Sequence, residues 1–184
     1  MKAHLITALA GCHNKSNTDE AAGSAAANAP AATPLPSETP TTATAPTTPQ
    51  GFVDQAASSD MYEIAAAKLA QQMGKSEQLK SFAAMMVKDH TQSTAELKAA
   101  VAKASGLMMP TAMQAEQQAQ LDALKNAGDN FATLYAQQQV GAHQAALMLL
   151  QDQANSGTVA PLKDFAAKAV PVVQHHLEEA MKLG

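Results

Sequence analysis

The chain has few aromatic residues and a single cysteine. Aromatic residues make up 3% of the 184 positions, tryptophan is absent, and only two tyrosines occur. A β-sandwich of this length normally carries more aromatic and β-branched residues, so the composition argues against an all-β fold. One cysteine excludes an intramolecular disulfide framework and a cysteine-rich metal site.

Long apolar runs and basic clusters are also missing. No stretch approaches the roughly 18–20 apolar residues that a membrane-spanning helix needs. The net charge is −4 and no run of lysine or arginine forms a basic patch, so we expect no nucleic-acid partner. No Ser/His/Asp set, nucleophile elbow or phosphate-binding glycine loop occurs. The sequence therefore indicates no recognisable enzyme activity.

Residues 1–12, MKAHLITALAGC, resemble a bacterial lipoprotein signal that ends at its lipobox cysteine. The apolar run at 5–10 is shorter than the roughly 7–15 residues usual in such signals, and an ordinary cytoplasmic N-terminus with an incidental cysteine is the alternative. The resemblance implies that Cys12 is lipidated and anchors the protein to a membrane. His13, rather than an aspartate, follows the cysteine, which by analogy with Gram-negative sorting implies the periplasmic side of the outer membrane.

Residues 13–50 are mainly alanine, threonine, proline, serine and asparagine, and hold six of the nine prolines. Such a segment has almost nothing to bury and is predicted to be a disordered tether. A lipidated cysteine, a tether and a folded domain at 51–184 together form the layout of an extracytoplasmic envelope protein. Its partners would be the membrane and another envelope protein.

Helix-forming residues dominate 51–184. Apolar residues recur there at three- and four-residue steps, which predicts four long helices at about 52–73, 77–104, 130–155 and 160–183. A short, weakly amphipathic helix is predicted at about 113–126. Gly74 and Gly106 are expected to end the first two helices, and Ser76 and Asp129 to cap the second and third long ones.

Two segments of the chain are similar to each other. The sequence LKSFAAMMV at 79–87 returns as LKDFAAKAV at 162–170, with six of nine positions identical. A histidine follows on the apolar face each time, at His90 and His176, which predicts a duplicated helical hairpin. About 23 residues connect the two hairpins. That length favours a crossover along a ferritin-like antiparallel four-helix bundle, and a cap helix folded over one end is the alternative.

Four stretches carry a family resemblance: 52–70, 79–91, 131–147 and 162–180. Together they resemble the bacterial domain-of-unknown-function family numbered four-one-four-two, whose members are labelled predicted outer-membrane proteins and grouped with ferritin-like folds. The resemblance implies a four-helix, ferritin-like bundle in an exported protein and no established reaction. The family's recurrent polar residues fall here on Glu63, Asp89, His90, His143 and His176.

The pattern of those polar residues argues against a di-iron site. Ferritin-like di-iron centres use a glutamate from each of two helices and a Glu-x-x-His motif from each of the others. Here Val87 and Val173 stand three residues before His90 and His176, so the motif is absent.

One glutamate and three histidines remain, one on each long helix: Glu63, His90, His143 and His176. Counting from the helix starts places the first three at similar heights and His176 one to two turns away. This set suits a mononuclear Zn, Cu or Fe site, and it suits equally a buried hydrogen-bond network. We therefore predict an envelope protein with a binding or structural role, or a metal-binding or redox protein of the ferritin-like group.

Methionines in the connection between the hairpins are a further candidate. Met108, Met109 and Met113 flank Pro110, and thioethers together with a histidine hold Cu(I). Filling gaps under a loop is the commoner role of methionine.

Overall fold

The computed structural model describes residues 48–184, and within that range the chain is all-α and has no strand. This confirms the predicted all-α class. The signal-like segment with Cys12 and the tether up to residue 47 lie outside the described residues. The helices are α1 Pro49–Met73, α2 Glu77–Ala102, α3 Ala115–Lys125, α4 Phe131–Ser156 and α5 Ala160–Ala180, with a 3₁₀ turn at Gly128–Asn130.

The helix ends follow local capping chemistry. The first helix begins at Pro49, two residues before the predicted start of the fold, because the Thr48 hydroxyl accepts from the backbone N–H of Gly51 at 3.0 Å. Ser76 caps α2 as predicted and accepts from Leu79 N at 3.2 Å. The predicted Asp129 cap is wrong: Asp129 lies in the 3₁₀ turn, and its carboxylate is paired with the Lys75 ammonium at 3.3 Å.

Gly74 ends α1, but not through a left-handed conformation. Its φ and ψ are −65° and 132°, which any residue adopts. The constraint is space, since a Cβ at this position would lie 2.5 Å from both the Ala70 carbonyl oxygen and Leu79 Cδ2. The tight turn between α1 and α2 therefore requires glycine.

The four long helices form two hairpins. The first hairpin pairs α1 with α2, the second pairs α4 with α5, and α2–α5 and α1–α4 contacts join them. Near the start of α1, the Gln50 side chain hydrogen-bonds both backbone groups of Met108, just beyond α2, at 2.8 and 3.0 Å. At the same end, the rings of Phe52 and Phe165 meet edge to face at 6.2 Å.

The short helix α3 confirms the predicted extra helix in the connection, and it runs along α1. Buried Ser58 holds it there, because its hydroxyl accepts from Gln114 N at 2.7 Å and donates to Gln117 Oε1 at 3.1 Å. The chain is thereby returned to the end where α1 stops, beside Lys75, before α4 begins. The connection is a crossover, so α4 runs parallel to α2 and antiparallel to α1.

The core consists of two apolar clusters. We call them the Phe165 cluster and the Phe82 cluster, and each takes residues from both hairpins. The Phe165 cluster includes Phe52, Leu97, Leu149, Leu162, Phe165 and Val173. The Phe82 cluster includes Tyr62, Leu79, Phe82, Met86, Leu124, Phe131 and Tyr135.

A layer of buried polar residues lies between the two clusters. On α2, α4 and α5 its members fall between residues of one cluster and residues of the other. On α1, Asp60 does so, and Glu63 directly follows Tyr62 of the Phe82 cluster. This polar layer consists of Asp60, Glu63, His90, Gln139, His143 and His176.

The repeated segments occupy opposite ends of this core. Phe82 and Phe165 each lie five residues after the first residue of their helix, yet one belongs to each cluster.

Among residues 48–184, none of the helices combines the length and apolar composition needed to cross a bilayer.

We expect Leu97→Ala to lower the free energy of unfolding by about 2–5 kcal/mol, since it leaves a cavity in the Phe165 cluster, where Leu97 is fully buried. The matched control is Met148→Ala on the surface of α4, which should change it by less than about 0.5 kcal/mol. Urea unfolding measures both. Equal effects of the two substitutions would contradict the described core.

Candidate metal centre

Three histidine rings meet in the polar layer, one each from α2, α4 and α5. The ring centroids of His90 and His143 lie 5.8 Å apart, those of His90 and His176 5.4 Å, and those of His143 and His176 5.5 Å. All three side chains are buried. Three predicted residues that are far apart in sequence are thus brought together.

One nitrogen of each ring is engaged by a hydrogen bond. His90 Nδ1 lies 2.8 Å from Asp60 Oδ1, and the Thr94 hydroxyl donates to the other oxygen of Asp60 at 3.2 Å. His143 Nδ1 lies 2.8 Å from the backbone carbonyl of Gln139. Because carbonyl and carboxylate oxygens accept, both rings donate from Nδ1.

The third ring is engaged through its other nitrogen. His176 Nε2 lies 3.0 Å from Asp89 Oδ2. The second oxygen of Asp89 lies 3.6 Å from the exposed Lys88 ammonium. This ring therefore donates from Nε2 and keeps Nδ1 free.

The remaining ring nitrogens have no partner within the described part of the chain. They are His90 Nε2, His143 Nε2 and His176 Nδ1, all buried. The three histidines can each offer a ligand atom such that these atoms lie within 4.8 Å of one another. In the neutral rings each free nitrogen carries a lone pair, so the arrangement offers three acceptors and no donor.

Glu63 lies beside this group but is not one of the three. Its Oε2 accepts from Gln139 Nε2 at 2.7 Å, while Oε1 has no hydrogen-bond partner and lies 3.9 Å from His143 Nδ1. The Tyr135 hydroxyl and Gln139 Oε1 are likewise buried without a partner.

The electrostatic environment treats the three imidazoles differently. Burial by itself lowers the pKa of His90, but the hydrogen bond to Asp60 and the nearby carboxylates outweigh it, and the pKa is raised. Burial, assisted by the charge of His90, lowers the pKa of His143 to about 3. Burial also lowers the pKa of His176, more than the Asp89 carboxylate raises it. His143 and His176 are therefore neutral near pH 7.

Burial has the opposite effect on the carboxyl group of the layer. It raises the pKa of Glu63 to about 7, although the charge of His90 and the hydrogen bond from Gln139 oppose the shift. Much of Glu63 is consequently protonated at neutral pH.

The ring of His176 is level with the other histidine rings, whereas the predicted height placed His176 one to two turns away. Counted from the turn between α4 and α5, it lies about three residues deeper than His143, or roughly 4–5 Å along the axis. Side chains lean toward the N-terminus of their own helix. In this antiparallel pair the two rings lean toward each other, which closes the gap.

Asp60 and Gln139 are site residues that the sequence reasoning missed. Asp60 precedes Glu63 by three positions and Gln139 precedes His143 by four, so each shares a helix face with a predicted residue. A polar residue recurring at that spacing inside an apolar stripe was the available signal. The methionines do not converge: Met108 is 74% exposed, Met109 packs against the Phe165 cluster and Met113 against the Phe82 cluster.

We predict that, without metal, the free energy of unfolding of Glu63→Gln increasingly exceeds that of the wild type as the pH rises. The pKa of Glu63 is about 7 in the folded chain against a usual 4.5, so between these values the folded state keeps a proton that the unfolded state has lost. Wild-type stability therefore falls across this window, whereas glutamine does not titrate. In excess chelator the variant should gain up to about 3 kcal/mol relative to wild type between pH 4.5 and 8.

Urea unfolding from pH 4.5 to 9 measures this difference. The control is Glu96→Gln, an exposed glutamate on α2, which should show a difference from wild type that varies little with pH. A stability difference between Glu63→Gln and wild type that stays constant over the range would contradict the raised pKa.

Comparisons with known proteins place the chain in a family. The solved structure of CopM in the Cu(II)-bound form has a TM-score of 0.60 with this chain at 19% sequence identity, covering 72% of this chain and 93% of that one; at this identity the likeness shows the fold alone. No curated protein gives a significant sequence match. The model of the family described as "Domain of unknown function (DUF4142)" matches residues 33–183, which confirms the resemblance seen in the sequence, and the chain belongs to this family.

Proposed function

We propose that the protein binds one transition-metal ion through His90, His143 and His176, with copper as the first candidate and zinc or iron as alternatives. One observation carries the proposal: each of the three rings has a buried nitrogen without a partner while its other nitrogen is already engaged, and the three histidines can each offer a ligand atom within 4.8 Å of the others. This is the arrangement of metal-binding histidines, whose second nitrogen donates to a carboxylate or a backbone carbonyl.

The donor chemistry fits such an ion. Imidazole is a common ligand of zinc, copper and iron, and three protein nitrogens leave a coordination position open for water or another ligand. The similar fold of CopM, whose structure is of a Cu(II)-bound form, supports copper as the first metal to test. In this proposal Glu63, predicted as a fourth ligand, is a neighbouring carboxyl group.

A purely structural network accounts less well for the same atoms. A protonated His90 can donate its Nε2 proton to His143 or to His176, but not to both. One buried acceptor then stays unsatisfied, which costs about 1–3 kcal/mol. A metal ion satisfies all three nitrogens at once.

We further propose that the helices form a ferritin-like bundle. The crossover through α3 and the antiparallel packing of α1 with α4 and of α2 with α5 support this proposal. The bundle would be exported and held by a lipid on Cys12 at the periplasmic side of the outer membrane. The lipobox-like sequence and the proline-rich segment that follows it support this location. Together these features describe a lipid-anchored envelope protein that binds metal.

We expect the full-length chain to bind one equivalent of Cu(II), or of Zn(II), in a Cys12→Ala background that removes the thiol. Metal at 100 times its dissociation constant should stabilise the fold by about 2.7 kcal/mol, and chelator should reverse the effect. His143→Ala should abolish metal binding and the stabilisation by metal. His175→Ala, at an exposed histidine on α5, should retain both effects. Elemental analysis measures the binding, and thermal melting measures the stabilisation. A wild-type melting temperature that changes with neither metal nor chelator would contradict the metal site and favour a hydrogen-bond network in the polar layer.

The lipid anchor has its own test. Radiolabelled palmitate should enter the wild-type protein, and Cys12→Ala should abolish both the label and the recovery in the membrane fraction. Recovery of unlabelled wild-type protein in the cytoplasmic fraction would contradict the proposed location. The proposal of a metal site does not depend on this result.

A further inference from the structure

We infer that Asp60 and Asp89 make the centre selective for a divalent over a monovalent cation, acting as positioning residues through His90 and His176. This selectivity presupposes the metal site proposed above. It concerns compensation of the charge of the bound ion, to which the neutral imidazoles contribute no negative charge.

Asp60 is the more strongly enclosed of the two carboxylates. Its side chain is 6% exposed, and both of its oxygens accept hydrogen bonds, one from His90 and one from Thr94. It stands on α1, whereas both donors stand on α2. The negative charge is therefore fixed in place from two helices.

Asp89 lies nearer to the surface. Its side chain is 23% exposed and contacts His176 on one oxygen and Lys88 on the other. The Lys88 side chain is 81% exposed, so its ion pair is strongly screened by water. The charge of Asp89 is directed at the metal centre, but solvent weakens it more than that of Asp60.

Counting charges shows why a divalent ion fits. Two carboxylates contribute two negative charges, and no lysine or arginine is among the buried residues of 48–184. A divalent ion neutralises the assembly, whereas a monovalent ion leaves one negative charge uncompensated in a low-dielectric interior, where a net charge is costly. This balance holds while Glu63 is protonated; an ionised Glu63 would leave one negative charge uncompensated with a divalent ion and two with a monovalent ion.

The two aspartates also fix which nitrogen binds. Each accepts the N–H of its ring, so His90 presents Nε2 and His176 presents Nδ1. His143 is oriented in the same way by the neutral carbonyl of Gln139. Orientation is thus achieved with or without a charged acceptor, and ion selectivity is the distinct contribution of the carboxylates.

Copper binds proteins both as Cu(II) and as Cu(I). The midpoint potential of the bound copper therefore compares the affinity of the site for a divalent ion with its affinity for a monovalent ion. In the full-length Cys12→Ala chain, Asp60→Asn should raise the dissociation constant for Cu(II) about 10–100-fold and that for Cu(I) much less. The Cu(II)/Cu(I) potential should then rise by about 60–120 mV, at 59 mV per tenfold change. Asp89→Asn should shift it in the same direction by a smaller amount.

The control is Asp152→Asn, an exposed aspartate on α4, which changes the net charge equally and should leave the potential unchanged. Loss of both copper affinities in parallel, with no shift in potential for either aspartate variant, would overturn the selectivity while the metal site stands. A wild type that binds no copper would overturn both. If Asp60→Asn fails to fold, a shift with Asp89→Asn still supports the selectivity, and its absence overturns it.

Discussion

The structure depends on the burial of three imidazoles at mid-height in a helical bundle. A buried polar group is costly unless it is partnered, and here each ring is half satisfied. Protein oxygens accept from one nitrogen of each of His90, His143 and His176, and the other nitrogen of each ring is buried without a partner. Among the described residues that unmet requirement is the main chemical feature of the core, and the proposed metal ion would meet it.

The fold serves this layer from both sides. Apolar clusters enclose it above and below, so its charges interact in a medium of low polarity. The crossover α3 allows both hairpins to present their polar residues at one level. Because α4 and α5 are antiparallel, their side chains lean toward each other and bring His143 and His176 together. The geometry therefore follows from helix direction as much as from residue identity.

Charge in the layer is divided between groups that burial affects in opposite ways. Burial favours the neutral forms of His143 and His176 and the protonated form of Glu63. Asp60 and the neighbouring carboxylates favour the charged form of His90. In the metal-free protein a proton on His90 supplies positive charge that a bound cation would supply instead. Metal binding and protonation are thus expected to compete at the same three nitrogens.

The sequence by itself determined the helices, their order and three of the residues that meet at the centre. Apolar spacing and caps such as Ser76 are local properties, and a histidine on an apolar stripe is visible without a structure. Tertiary structure decided the height of His176, the separation of Glu63 from the group of three, and the roles of Asp60 and Gln139. These depend on how far each helix is shifted along its neighbours and on which way its side chains lean, and spacing within a single helix contains neither quantity.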